Sequence, residues 1–300
     1  MKILDLKDLK NFTNNTCVTL GFFDGMHIGH QKIFDTLINK AKDNNYKSVV
    51  ITFDDSSLNL FKMTKNITSL NDKLDSFGKY GVDYVVLLKT SDNFMNLTAS
   101  EFIKQYLDAL NCKCIICGSE LTFAKNKEGN MQYLKDNTSY EIISVDDVYI
   151  NDIKISSTYI RNLIKEGNVN LANSLLYKPF SITSNVIKGH RIGRTIGFKT
   201  ANIVVNDSCL LLKHGVYFGK VVINNKYYKS MINVGINPTI NIDNNLKIEA
   251  HIIDFNEDIY DDLIKIEFNC FHRDELKFDS LQSLKKQLDY DLNCLNNVEM

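Results

Sequence analysis

Residues 17–30 read Cys17-Val-Thr-Leu-Gly21-Phe-Phe23-Asp24-Gly25-Met-His27-Ile-Gly29-His30, and this stretch decides the fold. Residues 17–20 are a β-branched and apolar run too short for a helix. Gly21 and Gly25 punctuate a turn around Asp24, and from Gln31 onward the apolar residues take helical spacing. The pattern predicts strand, loop, helix. At the start of such a helix unpaired N–H groups meet the positive end of the dipole, so a phosphate is the expected guest. His27 and His30, three residues apart, project to one side beside it, and Gly29 between them leaves room for close approach of a ligand to the backbone.

Outward from this stretch, strands and helices alternate. Ile33, Phe34, Leu37, Ile38 and Ala41 mark the buried stripe of the first helix, and residues 48–53 form a nearly apolar strand, as in a sheet covered on both faces. Ser69 with Asp72 resembles a capping box, with Gly81 at the helix end, and strand 82–88 follows. Thr98 with Glu101 is a stronger box and opens a helix that turns Phe102, Ile103, Tyr106, Leu107 and Leu110 inward. Residues 114–117 and 141–145 read as further strands. This alternation predicts an α/β domain of Rossmann-like design, a doubly wound parallel sheet with helices on both faces and ligands at the carboxyl ends of its strands.

After a helix from Ser156 to Gly167 and a short one through Leu176, the register changes. Residues 177–180 read as a linker, giving domains 1–178 and 179–300. Beyond it lie strands without long helices between them, at 180–188, 216–223, 227–234, 247–255 and 263–271, with Asn224-Asn225 as a hairpin turn. Such a run predicts a closed antiparallel β-barrel, because closure removes exposed edges. A C-terminal helix follows, with Leu281, Leu284, Leu288, Leu292 and Leu295 as the stripe that packs on the barrel.

Composition narrows the function classes. The 300 residues suffice for two cores, and a net charge of −1 gives no global pull toward nucleic acid or an anionic membrane. No apolar run approaches the length of a membrane span, and no secretory leader is evident, so a cytoplasmic protein is expected. Seven cysteines in such a chain read as reduced thiols. The cluster Cys112, Cys114 and Cys117 has no second ligand pair nearby and lies in an apolar strand, which favours packed thiols over a metal site.

Two sets of motifs then carry a resemblance. His27-Ile-Gly29-His30 behind a strand, with Ser156-Ser157-Thr158-x-x-Arg161 at a later helix start, resembles the nucleotidylyltransferase superfamily. Gly193-Arg194-Thr-Ile-Gly-Phe-Lys199-Thr200-Ala-Asn202, Gly215-Val-Tyr217, Asn233-Val-Gly-Ile-Asn237-Pro-Thr239, Glu249 and Arg273-Asp-Glu275-x-Lys-Phe278 resemble, in order, the riboflavin kinase domain. Both halves together are similar to the bacterial bifunctional riboflavin kinase/FMN adenylyltransferase (FAD synthetase) family over nearly the whole chain.

The resemblance implies the following expectations. One ATP phosphorylates riboflavin to FMN, and a second adenylylates FMN to FAD with release of pyrophosphate. His27, His30 and Arg161 act on the triphosphate, with Gly21, Phe23, Asp24, Gly29, Ser156, Ser157 and Thr158 around it. Glu249 is the catalytic base of the kinase. Thr200 and Asn202 hold Mg2+ and the nucleotide phosphates, and Gly193, Arg194, Asn237, Arg273 and Glu275 complete that site. The partners are these small molecules, with no nucleic acid and no membrane, and the oligomeric state is left open. The chain departs from the family pattern at Glu120, at Ala124 for the usual glycine, at Arg191 for a glycine and at Lys199 for a proline. Those departures keep alive the reading of a chain with one surviving activity; a flavin-responsive regulator without turnover is a further alternative, against which the retained His27, His30, Arg161, Asn202 and Glu249 count.

Overall fold

A computed structural model describes residues 1–57, 65–89, 93–188, 197–205, 212–236 and 246–298. It separates into two compact units, Met1–Ser157 and Thr158–Met300. The first is built on a six-stranded sheet of β1 (Lys2–Leu4), β2 (Thr16–Leu20), β3 (Lys47–Phe53), β4 (Tyr84–Leu88), β5 (Cys112–Gly118) and β8 (Glu141–Val145), in the order β1-β4-β3-β2-β5-β8. Every pairing is parallel. The antiparallel pairs β6–β7 (Thr122–Phe123 with Gly129–Asn130) and β9–β10 (Tyr149–Ile150 with Ile153–Lys154) lie outside it. The helices are α1 (Leu6–Leu9), α2 (Ile28–Asp43), α3 (Leu70–Tyr80), α4 (Ala99–Phe102) and α5 (Met131–Asn137).

The chain leaves β2 first toward β3 and later returns to its other side as β5, so the strand order reverses between β2 and β5. In an open α/β sheet that reversal opens a crevice at the carboxyl ends of the strands, and the Gly21–His27 turn leaves β2 at that end. The central strands are buried on both faces, Val49, Val50 and Ile51 being fully enclosed, which is why they read as continuous apolar runs.

The expected caps form. The Ser69 side chain accepts from Asp72 N, Thr98 and Glu101 bond reciprocally, and Gly81 closes α3 at φ 99°. Two features differ from the expectation. The N-terminal residues, read as a lead-in, supply the edge strand β1 beside β4; three residues carry too short a pattern to register. The helix opened by Thr98 continues from α4 into a π-helical segment, Ile103–Asp108, a widening that a stripe of apolar residues does not disclose.

The second unit holds a closed barrel, β11-β12-β15-β14-β13-β16, antiparallel throughout. Its strands are β11 (Ser181–Ile187), β12 (Ala201–Val204), β13 (Gly215–Ile223), β14 (Lys226–Ile236), β15 (Leu246–Ile252) and β16 (Leu263–Arg273). Strand β12 lies within the stretch read above as a motif and escaped the strand reading. Asn224 and Asn225 take φ of 48° and 62°, the left-handed pair that a tight hairpin needs. Helix α6 (Ser157–Lys165) starts at the boundary, and α7 (Val169–Leu175) is tied to the barrel. Asn173 donates to Phe268 O at 2.7 Å and accepts from Phe180 N at 2.8 Å, so compactness divides the chain ahead of the 177–180 stretch. The last helix, α8 (Leu281–Asn296), packs Leu295 onto Phe198, Val216, Phe218 and Met231.

Candidate active sites

In the first unit the turn after β2 is forced into an unusual path. Phe23, Gly25 and Met26 all have positive φ, at 53°, 80° and 44°, and left-handed non-glycine residues persist only where the surroundings over-determine them. Asp24 supplies one restraint. Its buried carboxylate accepts from the N–H groups of Ile67 and Thr68 and from the Thr68 hydroxyl, all within 3.2 Å. Lys73 on α3 supplies another. It is 3% exposed and its ammonium donates to Phe53 O at 2.9 Å and Phe22 O at 3.3 Å, with the Phe22 ring 4.5 Å away. Burial pulls its pKa down to about 8. Phe23 fills the space under the turn against Phe34, Phe77 and His30, and Gly21 permits this, since a Cβ there would meet Phe23 Cζ at 2.8 Å.

His27 caps α2, its Nδ1 accepting from His30 N at 3.4 Å, and the two imidazoles stack with centroids 3.7 Å apart. The space above Gly29 is taken by the His27 ring, which a Cβ would approach to 3.1 Å. The glycine thus sets where His27 lies. Both histidines line an open cleft, about 840 Å³ with the solvent space it includes, together with Gly21, Gly118, Glu120, Lys154, Ser156 and Ser157. Asp24 is turned to the 67–68 segment instead, and Ser157 Oγ donates to Asp24 O at 3.1 Å, which fastens the start of α6 to the turn. Arg161 follows Ser157 by one helical turn and is half-buried, while Thr158 is exposed.

Glu120 is compensated within the unit. Lys154 Nζ bonds Glu120 Oε1 at 2.8 Å and Asp147 Oδ2 at 2.9 Å. These bonds hold the Lys154 pKa above its ordinary value, that to Asp147 contributing most. Ala124 takes φ 66° and ψ −179°, a region that is nearly glycine's alone.

In the second unit the barrel register sets Asn202, Glu249 and Asn233 side by side across β12, β15 and β14, so they share one face of the sheet. Glu249 is ion-paired with Lys247, two residues earlier on the same strand face. Glu249, Asn233 and Arg273 line a cleft of about 980 Å³, walled by Phe198, Val216, Met231, Leu284 and Leu288. Thr200 lines this cleft and also a second one of about 760 Å³, which Lys199, Asn202, Asn256 and Tyr260 line as well. The turn that presents Thr200 is held by His251, whose Nδ1 lies 2.8 Å from Lys199 O and whose ring packs on Phe198. This contact steadies the turn at Lys199.

Asn202 is 5% exposed and its Oδ1 has no hydrogen-bond partner among the described residues, Nδ2 being turned to Thr200 O. A buried carbonyl oxygen in this state is free to accept from water or to meet a bound ion. Among the described residues no group of three or more His, Cys, Asp and Glu could hold a metal ion. Glu275, exposed at the cleft mouth, lies against the β14 backbone at Gly235, where a Cβ would come within 2.4 Å of Glu275 Oε1. Gly193, Arg194, Asn237 and Arg191 lie outside the described residues.

Lys73, His251, Lys247 and Asp291 were not singled out from sequence. Asp291 left a trace, since it sits on the leucine stripe of α8, three residues after Leu288 and four before Leu295. A carboxylate at a buried position requires a partner. The cysteines behave as packed thiols. The six in the described residues are free, and burial pushes the Cys117 thiol up to about 11.

Comparison with known proteins places both halves. The family described as FAD synthetase matches residues 9–159, and the family described as riboflavin kinase matches residues 176–298. The bifunctional riboflavin kinase/FMN adenylyltransferase of Listeria monocytogenes is 37% identical, covering 92% of this chain and 90% of its own. Its namesake in Escherichia coli K12 is 32% identical over 97% and 96%. A crystal structure from Streptococcus pneumoniae, titled a macrolide-efflux protein, superposes with a TM-score of 0.90 at 34% identity, covering 100% of this chain and 99% of that one. Among the described residues of the present chain no helix is long and apolar enough to cross a membrane.

Proposed function

The chain belongs to the bifunctional riboflavin kinase/FMN adenylyltransferase family, and on that premise we propose that it converts riboflavin to FMN in one unit and FMN to FAD in the other, spending one ATP at each step. The observation that carries this reading is the presence, in each unit, of a cleft lined by that half's own motif residues. We assign adenylyl transfer to residues 1–178 and riboflavin phosphorylation to residues 179–300, in a cytoplasmic protein.

In adenylyl transfer an FMN phosphate oxygen attacks the α-phosphorus of ATP and pyrophosphate departs. Charge grows on the phosphates, so fixed donors and cations are what catalysis needs. His27 and His30 hydrogen-bond the phosphates as they gather beside the first turn of α2. Ser156 and Ser157 hold the triphosphate from the start of α6, and the resemblance to the nucleotidylyltransferase motif assigns Thr158 and Arg161 to the same ligand, Arg161 as the charged, two-pronged donor. Asp24 and Lys73 fix the turn.

In the kinase step Glu249 accepts the proton of the riboflavin 5′-hydroxyl as that oxygen takes the γ-phosphoryl group. Lys247 keeps the carboxylate aimed along its strand face. Thr200, lining both kinase clefts, stands where nucleotide and flavin meet. Asn202 Oδ1 and the Thr200 hydroxyl are the oxygens that would hold Mg2+, a hard cation, which would supply charge neutralisation for phosphoryl transfer. The resemblance assigns Gly193, Arg194 and Asn237 to substrate binding as well, and Arg273 and Glu275 to the flavin side.

Two substitutions test the division of labour. His27→Ala should stop FAD formation from FMN and leave FMN formation intact. Glu249→Gln should lower riboflavin phosphorylation by roughly 100- to 10,000-fold, the usual worth of a positioned base, and spare FAD formation from supplied FMN. Loss of both reactions from either substitution in folded protein would refute the assignment of one site to each unit.

A further inference from the structure

The cation on the flavin side of the kinase cleft is not self-supporting. Arg273 ends β16 and lines the cleft, its side chain 17% exposed. Its guanidinium is gripped from behind by Asp291 of α8, with Nη2 to Oδ2 at 2.7 Å and Nε to Oδ2 at 3.0 Å, while Nη1 donates to Asp274 O at 3.0 Å. Asp291 is 0% exposed and also meets His272 Nε2 at 3.0 Å and Gln287 Nε2 at 2.8 Å. His272 in turn stacks on Phe218 at 4.3 Å.

A carboxylate with no access to water exacts a desolvation cost that packing alone would not repay, and here donors from β16 and α8 compensate it. The residues that pin it are adjacent to the cleft: Arg273 is in the wall, and Leu284 and Leu288 of the same helix are in the wall too. The pair presents the cleft with a planar guanidinium whose charge is balanced and whose orientation is set. Riboflavin, an uncharged tricyclic ring with hydrogen-bonding edges, needs such a donor at a fixed angle; a net charge would gain nothing from it.

We propose that Asp291 is a positioning residue for the riboflavin kinase reaction: through Arg273 it makes α8 part of the flavin-side wall, so that riboflavin recognition depends on a carboxylate that never touches the substrate. The proposal rests on the reading of Arg273 as a flavin-side residue.

The test is a cycle of Asp291→Asn, Arg273→Gln and the double variant, each assayed for KM of riboflavin and of ATP in FMN formation, and for FAD formation from FMN. Asp291→Asn should raise the riboflavin KM by about 10- to 100-fold, the worth of a charge-assisted pair, with ATP KM and FAD formation within twofold of wild type. The double variant should be no worse than Arg273→Gln alone, because the two act as one unit. An Asp291→Asn protein with unchanged riboflavin KM beside an impaired Arg273→Gln protein overturns the proposal. So does an equal rise in both KM values, the mark of a loosened barrel. If Arg273→Gln itself leaves riboflavin KM unchanged, the underlying reading of Arg273 fails. Should Asp291→Asn unfold, Asp291→Glu carries the test: the displaced carboxylate should give a smaller riboflavin-selective rise, and none would overturn the proposal.

Discussion

Ala124 pays a conformational penalty where glycine would pay none. Its φ of 66° with ψ −179° belongs to a region costing a residue with a Cβ on the order of 1–3 kcal/mol. Ala124→Gly should therefore raise the stability of the first unit by about 1 kcal/mol, after the greater freedom glycine gives the unfolded chain is deducted; an unchanged or lower denaturation midpoint would refute the strain. Gly29 presents the opposite case. A Cβ there meets the His27 ring at 3.1 Å, and that ring is already stacked on His30, so Gly29→Ala has to tilt His27. We expect FAD formation to fall by about tenfold or more, since small displacements of a positioning group are costly, with FMN formation unaffected. Equal FAD rates in mutant and wild type would show that the ring has room to move.

At the scale of elements, the turn after β2 owes its shape to α3 as much as to its own residues. The glycines and histidines of the turn were legible because they are local signals of a strand giving way to a helix. Lys73 was not, because a lysine on an amphipathic helix reads as solvated until the path of residues 22–24 places Phe22 O and Phe53 O above it. Burial leaves its pKa near 8 against an ordinary 10.5. Between those values the folded unit holds fewer protons than the unfolded chain, so stability contributed at this position rises with pH across that window. Relative to Lys73→Met, wild-type protein should gain on the order of 3 kcal/mol at most between pH 8 and pH 10.5. Parallel denaturation curves at both pH values, with no change in the difference, would contradict the depressed pKa.

In the barrel, the strands with alternating patterns were legible, and β12 was hidden because its four residues lie inside a motif read for chemistry. The terminal helix was legible as a stripe of leucines. Its deeper role was not, because Asp291 interrupts that stripe with a charge whose partners, Arg273 and His272, come from another element.

Over the whole molecule, each unit carries a cleft: one at the reversal point of a parallel sheet, the other on a barrel face walled by α8. Fold class and motif positions could be read from the chain because periodicity and turn chemistry are local. The supports of the motifs could not, because Asp24 with residues 67–68, His251 with Lys199, and Lys154 with Glu120 and Asp147 are contacts that only the folded chain creates. Those supports bear on the departures from the family pattern. Lys154 compensates Glu120, and His251 steadies the turn at Lys199.

The central claim, two working sites in one chain, is tested most directly by a chromatographic time course of purified protein with riboflavin, ATP and Mg2+. The account predicts that FMN appears first and is then converted to FAD, with pyrophosphate released in step with FAD. FMN accumulating without FAD, or riboflavin left unchanged beside FAD formed from added FMN, would contradict it.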